Sequence, residues 1–143
     1  MAVEFDLSET IDAPKEQVMA YFLKVEDMPK YHPKMARKVE VLEKSDSAIK
    51  YRLESKVMLK KIESVNNMSI DSAGSKLITD TVEGDGKGSR ISMEFTENEG
   101  RTEISMKASM ELGVLGSLGK GMASSMWKEA MGQAKAVLEK KGP

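Results

Sequence analysis

The sequence predicts an α+β fold in which a curved antiparallel sheet wraps around a long C-terminal helix. Two observations predict it. Between residues 37 and 112 the chain reads as strand after strand, joined by short polar or glycine turns. After it, Gly113 to Lys141 reads GVLGSLGKGMASSMWKEAMGQAKAVLEKK. On a helical wheel Met122, Ala123, Met126, Ala130, Ala134 and Val137 fall on one side. Trp127, Met131 and Leu138 widen that stripe along one edge, and Lys128, Lys135 and Glu139 lie opposite. This is the 3.6-residue period of an amphipathic helix with a broad apolar face. From Leu115 to Lys140 it would run roughly 39 Å at 1.5 Å per residue. So long a helix needs a large apolar surface to lie on.

The elements follow in order. Ala2 to Ile11 alternates, with Val3, Phe5 and Leu7 on one side and Glu4, Asp6 and Ser8 on the other, as a half-buried strand does. Ala13-Pro14 breaks it. Asp12 is the expected N-cap of a short helix, with Pro14 near its first turn. Val18, Tyr21, Phe22 and Val25 then fall at i, i+3, i+4 and i+7, one helical face. Glu26 to Lys34 carries two prolines, which predicts a loop or one short helical turn.

Arg37 to Glu43 alternates around Val39 and Val41. Ala48 to Lys61 places Ile49, Tyr51, Leu53, Val57 and Leu59 on one face, with Met58 the exception on the polar one. That run is long enough to bend at a bulge. Val65 to Asp71 reads as a shorter strand ending at the turn Ser72-Ala73-Gly74. Lys76 to Val82 is the next, and Gly84-Asp85-Gly86-Lys87-Gly88 a tight glycine turn. Ile91, Met93 and Phe95 alternate in the following strand. Thr102, Ile104, Met106, Ala108, Met110 and Leu112 make the cleanest alternation in the chain. Hairpin-linked strands pair antiparallel, and one charged face leaves the other in need of a cover. Only the terminal helix is large enough to provide it.

Composition narrows the function. At 143 residues the chain is expected to be one domain spanning 1–143. Twenty-two basic residues against 23 acidic ones give no charge excess that would draw nucleic acid or a membrane surface. The absence of cysteine excludes thiol catalysis, disulfides and thiolate metal sites. A single histidine excludes a two-histidine metal site, and no cofactor motif is present. No apolar run reaches the ~18 residues that span a bilayer. The alternating N-terminus is unlike a signal peptide, so the cytoplasm is the expected compartment. Twelve methionines against seven aromatic residues suit an adaptable, ligand-accommodating interior, or reflect a compositional habit of the source.

The element order and several local motifs resemble the START/Bet v 1-like superfamily, also called polyketide cyclase/dehydrase or SRPBCC proteins. The most specific part is the opening: a strand ending in Ile11-Asp12-Ala13-Pro14, then Glu16, Val18 and Tyr21-Phe22 on the short helix. Met28-Pro29-Lys30-Tyr31-His32-Pro33 resembles the family's aromatic and proline-containing segment, and Gly84 to Gly88 its glycine-rich strand turn. The resemblance covers essentially the whole chain. It implies a helix-grip fold with a cavity between sheet and helix. Members bind lipids, sterols, polyketides and other apolar molecules; some are cyclases or related enzymes, and others are protein-binding modules. Fold alone does not choose among these.

Several residues are candidates for chemistry. His32 sits in a loop, either at a cavity mouth or simply exposed. Asp80 shares the phase of Ile78 and Val82, and would work as an acid or base only if it faces inward. Glu9 shares the phase of Phe5 and Leu7. Tyr51 is either a ligand-orienting group or a core tyrosine. Gly84 to Gly88 is followed by a strand rather than a helix, so it is no dinucleotide fingerprint. Gly119-Lys120-Gly121 fails as a phosphate loop, because Val114 and Gly121 stand where Gly and Ser or Thr are required. Gly113, Gly116, Gly119 and Gly121 fit an irregular first turn, close contact with the sheet, or a loop before a helix starting near 117–122.

The reading these observations give is a binding protein for a small hydrophobic or amphipathic molecule. The expected lining is Met122, Met126 and Ala130 from the helix, Ile104, Met106, Ala108 and Met110 from one strand, and Ile91, Met93 and Phe95 from its neighbour. Tyr51 would add a polar contact. The alternatives are a cyclase- or dehydratase-like enzyme, which needs two inward polar groups within reach of one substrate, and a protein-interaction module using an exposed apolar patch. The same side chains would equally fill the interior and leave no cavity.

Overall fold

The computed structural model describes residues 2–57, 59–71, 73, 75–111 and 119–140. It contains one seven-stranded antiparallel sheet in the order β1-β7-β6-β5-β4-β3-β2. The strands are β1 (Ala2–Ile11), β2 (Lys38–Lys44), β3 (Ala48–Val57), β4 (Lys60–Asp71), β5 (Lys76–Gly84), β6 (Arg90–Asn98) and β7 (Arg101–Glu111). Between β1 and β2 lie α1 (Lys15–Leu23), a 3-10 turn (Val25–Asp27) and the one-turn helix α2 (Met28–Tyr31). The long helix α3 (Gly119–Glu139) ends the described chain. The architecture is a helix-grip fold: a curved antiparallel sheet with a long C-terminal helix.

Every strand after β2 is tied to its predecessor by a hairpin, so sequence neighbours are sheet neighbours. β1 closes the order by pairing with β7 along its whole length, from Ala2 opposite Glu111 to Ile11 opposite Thr102. Register is strongly specified because a one-residue slip would turn the apolar set outward. β7 illustrates this: Thr102, Ile104, Met106 and Ala108 are buried, while Arg101, Glu103, Ser105 and Lys107 are exposed. Ladder shifts occur between Val41 and Glu43 and between Val65 and Asn66, where bulges add twist.

The expected bend in a single strand from Ala48 to Lys61 is a hairpin instead. β3 ends at Val57 and β4 begins at Lys60, with Val57 opposite Lys60. Leu59, expected on the inward face, has φ +100° and is 92% exposed at this turn. Apolar alternation alone could not reveal a reversal made without glycine or proline. Met58 lies outside the described residues, as do Ser72 and Gly74, Leu112, Gly113 to Leu118 and the side chain of Val57.

Asp12 is not the cap of α1. Pro14 holds the N-cap position with extended φ and ψ, and no side chain caps the helix. Asp12 instead donates its backbone N–H to Glu139 Oε2 at 2.8 Å. Lys135 Nζ donates to the Thr10 carbonyl at 2.6 Å and stands 3.8 Å from Glu9, which is half-buried. These contacts dock the C-terminal half of α3 on β1. Ala134 there is fully buried and Ala130 nearly so. Small side chains at these positions let the helix approach the sheet closely.

Gly119 begins α3 with φ +71°, and a Cβ at Gly119 or Gly121 would meet nothing within 4 Å. Close contact with the sheet therefore does not explain these two glycines. The helix begins at Gly119, within the expected start near 117–122; Gly113 and Gly116 lie outside the described residues.

Candidate functional site

Around Phe95 of β6 and Ile104 to Ala108 of β7, and over neighbouring β1, the inner face of the sheet is filled by protein. Ile104 and Met106 are fully buried, Ala108 and Phe95 nearly so, and α1 and α3 pack directly on these strands. Phe95 is met by Phe22 of α1, with ring centroids 5.9 Å apart. Toward β3, β4 and β5 the helix and sheet diverge, and a cavity of about 250 Å³ opens between them. The helix wall is Ala123, Met126, Trp127, Ala130 and Met131. The sheet floor includes Tyr51 and Leu53 of β3, Asn66 and Met68 of β4, Leu77 and Thr81 of β5, Ile91 and Met93 of β6, and Met110 of β7. Tyr21, Phe22, Met28, Tyr31, His32 and Met35 form the wall between α1 and β2.

Of the residues expected to line a cavity, Tyr51, Ile91, Met93, Met110, Met126 and Ala130 do so. Phe95, Ile104, Met106 and Ala108 do not line it: they are core, held where α1 and α3 lie against the sheet. Met122 does not line it either and is 41% exposed. The buried stripe of α3 runs through Ala123, Ala130, Met131 and Ala134. It is rotated toward Trp127 and Met131, away from the Met122 edge. Asp80 is on the outer face, in an ion pair with Arg90 at 2.6 Å, because the inward phase of β5 is Leu77, Thr79 and Thr81.

Three sets of polar groups face the cavity. At the helical wall the Tyr21 hydroxyl and His32 Nε2 are 2.7 Å apart. The Tyr31 ring lies 5.6 Å from the Tyr21 ring. Burial, reinforced by the neighbouring Tyr31 and Asp27, pushes the Tyr21 hydroxyl up to about 12. Burial also lowers the His32 pKa from 6.5, favouring its neutral form. On the floor, Thr81 Oγ1 donates to Asn66 Oδ1 at 2.7 Å, and Asn66 Nδ2 donates to Ser64 Oγ at 3.1 Å. Near the glycine turn, Ser89 Oγ accepts the Glu111 backbone N–H at 2.8 Å.

Tyr51 stands apart from these sets. It is 4% exposed, and burial raises the pKa of its hydroxyl. No described residue bonds that hydroxyl, yet no fully enclosed side-chain N or O among the described residues lacks a partner. The hydroxyl therefore keeps a face on the cavity space.

Sequence reasoning missed the floor amide and hydroxyls, because Ser, Thr and Asn at inward positions look like breaks in an apolar pattern. The recoverable signal was their phase: Ser55 with Tyr51 and Leu53, and Ser64 and Asn66 with Met68. Among the described residues, no group of three or more His, Asp or Glu side chains could hold a metal ion, and no helix is long and apolar enough to cross a membrane.

A family model described as polyketide cyclase/dehydrase and lipid transport matches residues 2–141. A sequence search among curated proteins returns no significant match. Solved structures similar to the chain include TTHA0849 from Thermus thermophilus, 19% identical with TM-score 0.77 over 96% of this chain and 94% of that one. The Zhui aromatase/cyclase from Streptomyces sp. R1128 is 14% identical, with TM-score 0.76 over 97% and 92%. A START superfamily protein from Mycobacterium smegmatis is 13% identical, with TM-score 0.72 over 95% and 94%. At these identities the likeness is one of fold.

Proposed function

The chain belongs to the polyketide cyclase/dehydrase and lipid transport family, within the START/Bet v 1-like superfamily, and from that premise we propose that it binds one compact, mostly apolar molecule between the sheet and α3. Family and fold together support a hydrophobic ligand-binding or polyketide cyclase-type role. The observation that carries the binding reading is the cavity of about 250 Å³. Its size falls just below the roughly 300–1,000 Å³ of pockets for drug-sized ligands. A small ring system fits this better than a two-chain lipid. Binding would be driven by removing apolar surface from water, at roughly 25 cal/mol per Å².

Titration with a hydrophobic fluorescent probe tests this reading. Saturable binding at one site, competed by small apolar molecules, is the expected result. Unsaturable binding, or binding that no small molecule displaces, overturns it. Native mass spectrometry of protein purified from its own source would then identify the ligand by mass.

A second reading, a cyclase- or dehydratase-like catalyst, has one observation in its favour. Tyr21 and His32 are two titratable groups hydrogen-bonded to each other beside the cavity. Once a substrate is in hand, Tyr21→Phe and His32→Gln should each lower turnover by about 100-fold or more if the pair moves a proton. Unchanged turnover leaves the binding reading alone. Among the described residues, the exposed large hydrophobics Leu42, Leu59, Val82 and Met122 sit on separate elements and give the interaction-module reading no observation of its own.

A further inference from the structure

Three side chains stand in one row across the cavity floor. Tyr51 of β3 is the register partner of Asn66 of β4, and Asn66 is the partner of Thr81 of β5. All three line the cavity. The row leaves two donor protons uncommitted, the Tyr51 hydroxyl and one of the Asn66 amide. Thr81 gives its proton to Asn66 Oδ1, which fixes the amide with its nitrogen toward Ser64. An amide nitrogen carries two protons, and Ser64 takes only one. The Tyr51 hydroxyl has no bond to any described residue, although the residue is 4% exposed. The hydroxyl is not sealed off from the cavity, so it is free to donate to an acceptor oxygen that enters there, whereas an apolar group against it would leave the donor unmet. The charged groups among the described lining residues are Lys24 against Asp27, Asp85 and Glu111. That balance disfavours an anion.

We infer that the Tyr51–Asn66–Thr81 row is an oxygen-recognition site, and that the ligand is an uncharged apolar molecule bearing a carbonyl or comparable acceptor oxygen rather than a carboxylate. The inference rests on the cavity reading above and adds a polarity to it. The acceptor oxygen lies on the β3–β5 floor, taking a hydrogen bond from the Tyr51 hydroxyl. The apolar body lies against Met126, Trp127 and Met131 of α3. A purely greasy cavity would prefer a hydrocarbon to a ketone of the same shape, because the ketone loses hydrogen bonds to water on entry. The donor row reverses that order.

The test uses three probes of one shape: 2-acetonaphthone, 2-isopropylnaphthalene and 2-naphthoate. Binding is followed through the methyl resonances of methionines labelled with carbon-13, several of which line the cavity. The ketone is expected to bind more tightly than the hydrocarbon, and both more tightly than the carboxylate. Tyr51→Phe should weaken ketone binding about tenfold, the value of one good hydrogen bond, and leave hydrocarbon binding unchanged. Thr81→Val, which frees Asn66 Oδ1 to rotate the amide, should weaken the ketone in the same direction. Unperturbed methyl spectra of the free variants check that they are folded. If the hydrocarbon saturates the site as tightly as the ketone, or the carboxylate binds best, the oxygen-recognition site is wrong and the cavity reading stands. If both variants bind the ketone as the parent does, it is equally wrong. If none of the three probes shifts a cavity methyl, the cavity reading fails and takes this inference with it.

Discussion

The Tyr21 hydroxyl and His32 Nε2 meet at 2.7 Å, joining α1 to the end of α2 beside the cavity. The two rings also stand edge to face, with centroids 5.9 Å apart. A neutral imidazole with its proton on Nδ1 accepts the tyrosine proton, and a protonated ring cannot. Burial lowers the histidine pKa from its usual 6.5, so the folded protein takes up this proton later than the unfolded chain. The stabilising contribution is therefore complete above pH 6.5 and is lost as pH falls through the folded value. Urea denaturation between pH 7.5 and 5.5 should show stability falling with pH, and His32→Gln should flatten that slope. An identical slope in the variant contradicts the assignment.

Ala130 lines the cavity from α3 and is 9% exposed. Ala130→Leu keeps a strong helix former and adds three carbons toward the open space. Ligand or probe affinity should fall by about tenfold or more, the effect of about 1.4 kcal/mol. Overpacking a filled core would cost about 1–3 kcal/mol; here the melting temperature should fall by less than that implies. Thermal denaturation and a probe titration on the same sample separate the two effects.

Ile104 and Met126 were both expected to touch ligand, and they should now behave differently. Ile104 is fully enclosed by protein, so Ile104→Ala should cost about 2–5 kcal/mol of folding stability. Met126 is half-buried and borders open space, so Met126→Ala should cost less than about 1.5 kcal/mol. The variant at 126 should be the one that alters probe affinity. Chemical denaturation curves read the comparison directly.

Gly84 has φ +82°, and a Cβ there would run into the Glu63 carbonyl oxygen of β4. Gly100 has φ +79° with nothing within 4 Å of its would-be Cβ. Both alanine variants suffer the left-handed backbone cost of roughly 1–2 kcal/mol. Only Gly84→Ala adds the collision, so it should be the more destabilising of the two by denaturant melt. Equal losses would mean that β4 yields freely at Glu63.

The fold was legible because two different periods appear in separate parts of the chain. Strict alternation from Arg101 to Glu111 leaves β7 no other register, and the stripe from Ala123 to Leu138 can only be helical. The hairpin at Leu59 was not legible, since an exposed leucine in a tight turn carries no turn signal. The cavity was half legible. Inward phase names every residue on the concave face, and so gives Ile104 and Met93 the same standing. Which of them meets protein and which meets space depends on the angle at which α3 crosses the sheet. That angle is set by close packing at Ala134, by the Lys135 contact to β1 and by the Glu139 contact to Asp12 just beyond it, long-range features that no local pattern records. His32 belongs to the same class, because its place is fixed by a tyrosine eleven residues earlier.

Among the described residues, seven methionines border the cavity: Met28, Met35, Met68, Met93, Met110, Met126 and Met131. Thioether chains swing through many rotamers at little expense and present a polarizable sulfur from several angles. Such walls mould themselves to the outline of whatever enters, so shape selects weakly and guests of differing contour are tolerated. The same sulfurs are open to oxidants that reach the interior. Each sulfoxide formed would turn a stretch of oily lining polar, making occupancy sensitive to oxidative damage long before the sheet itself is harmed.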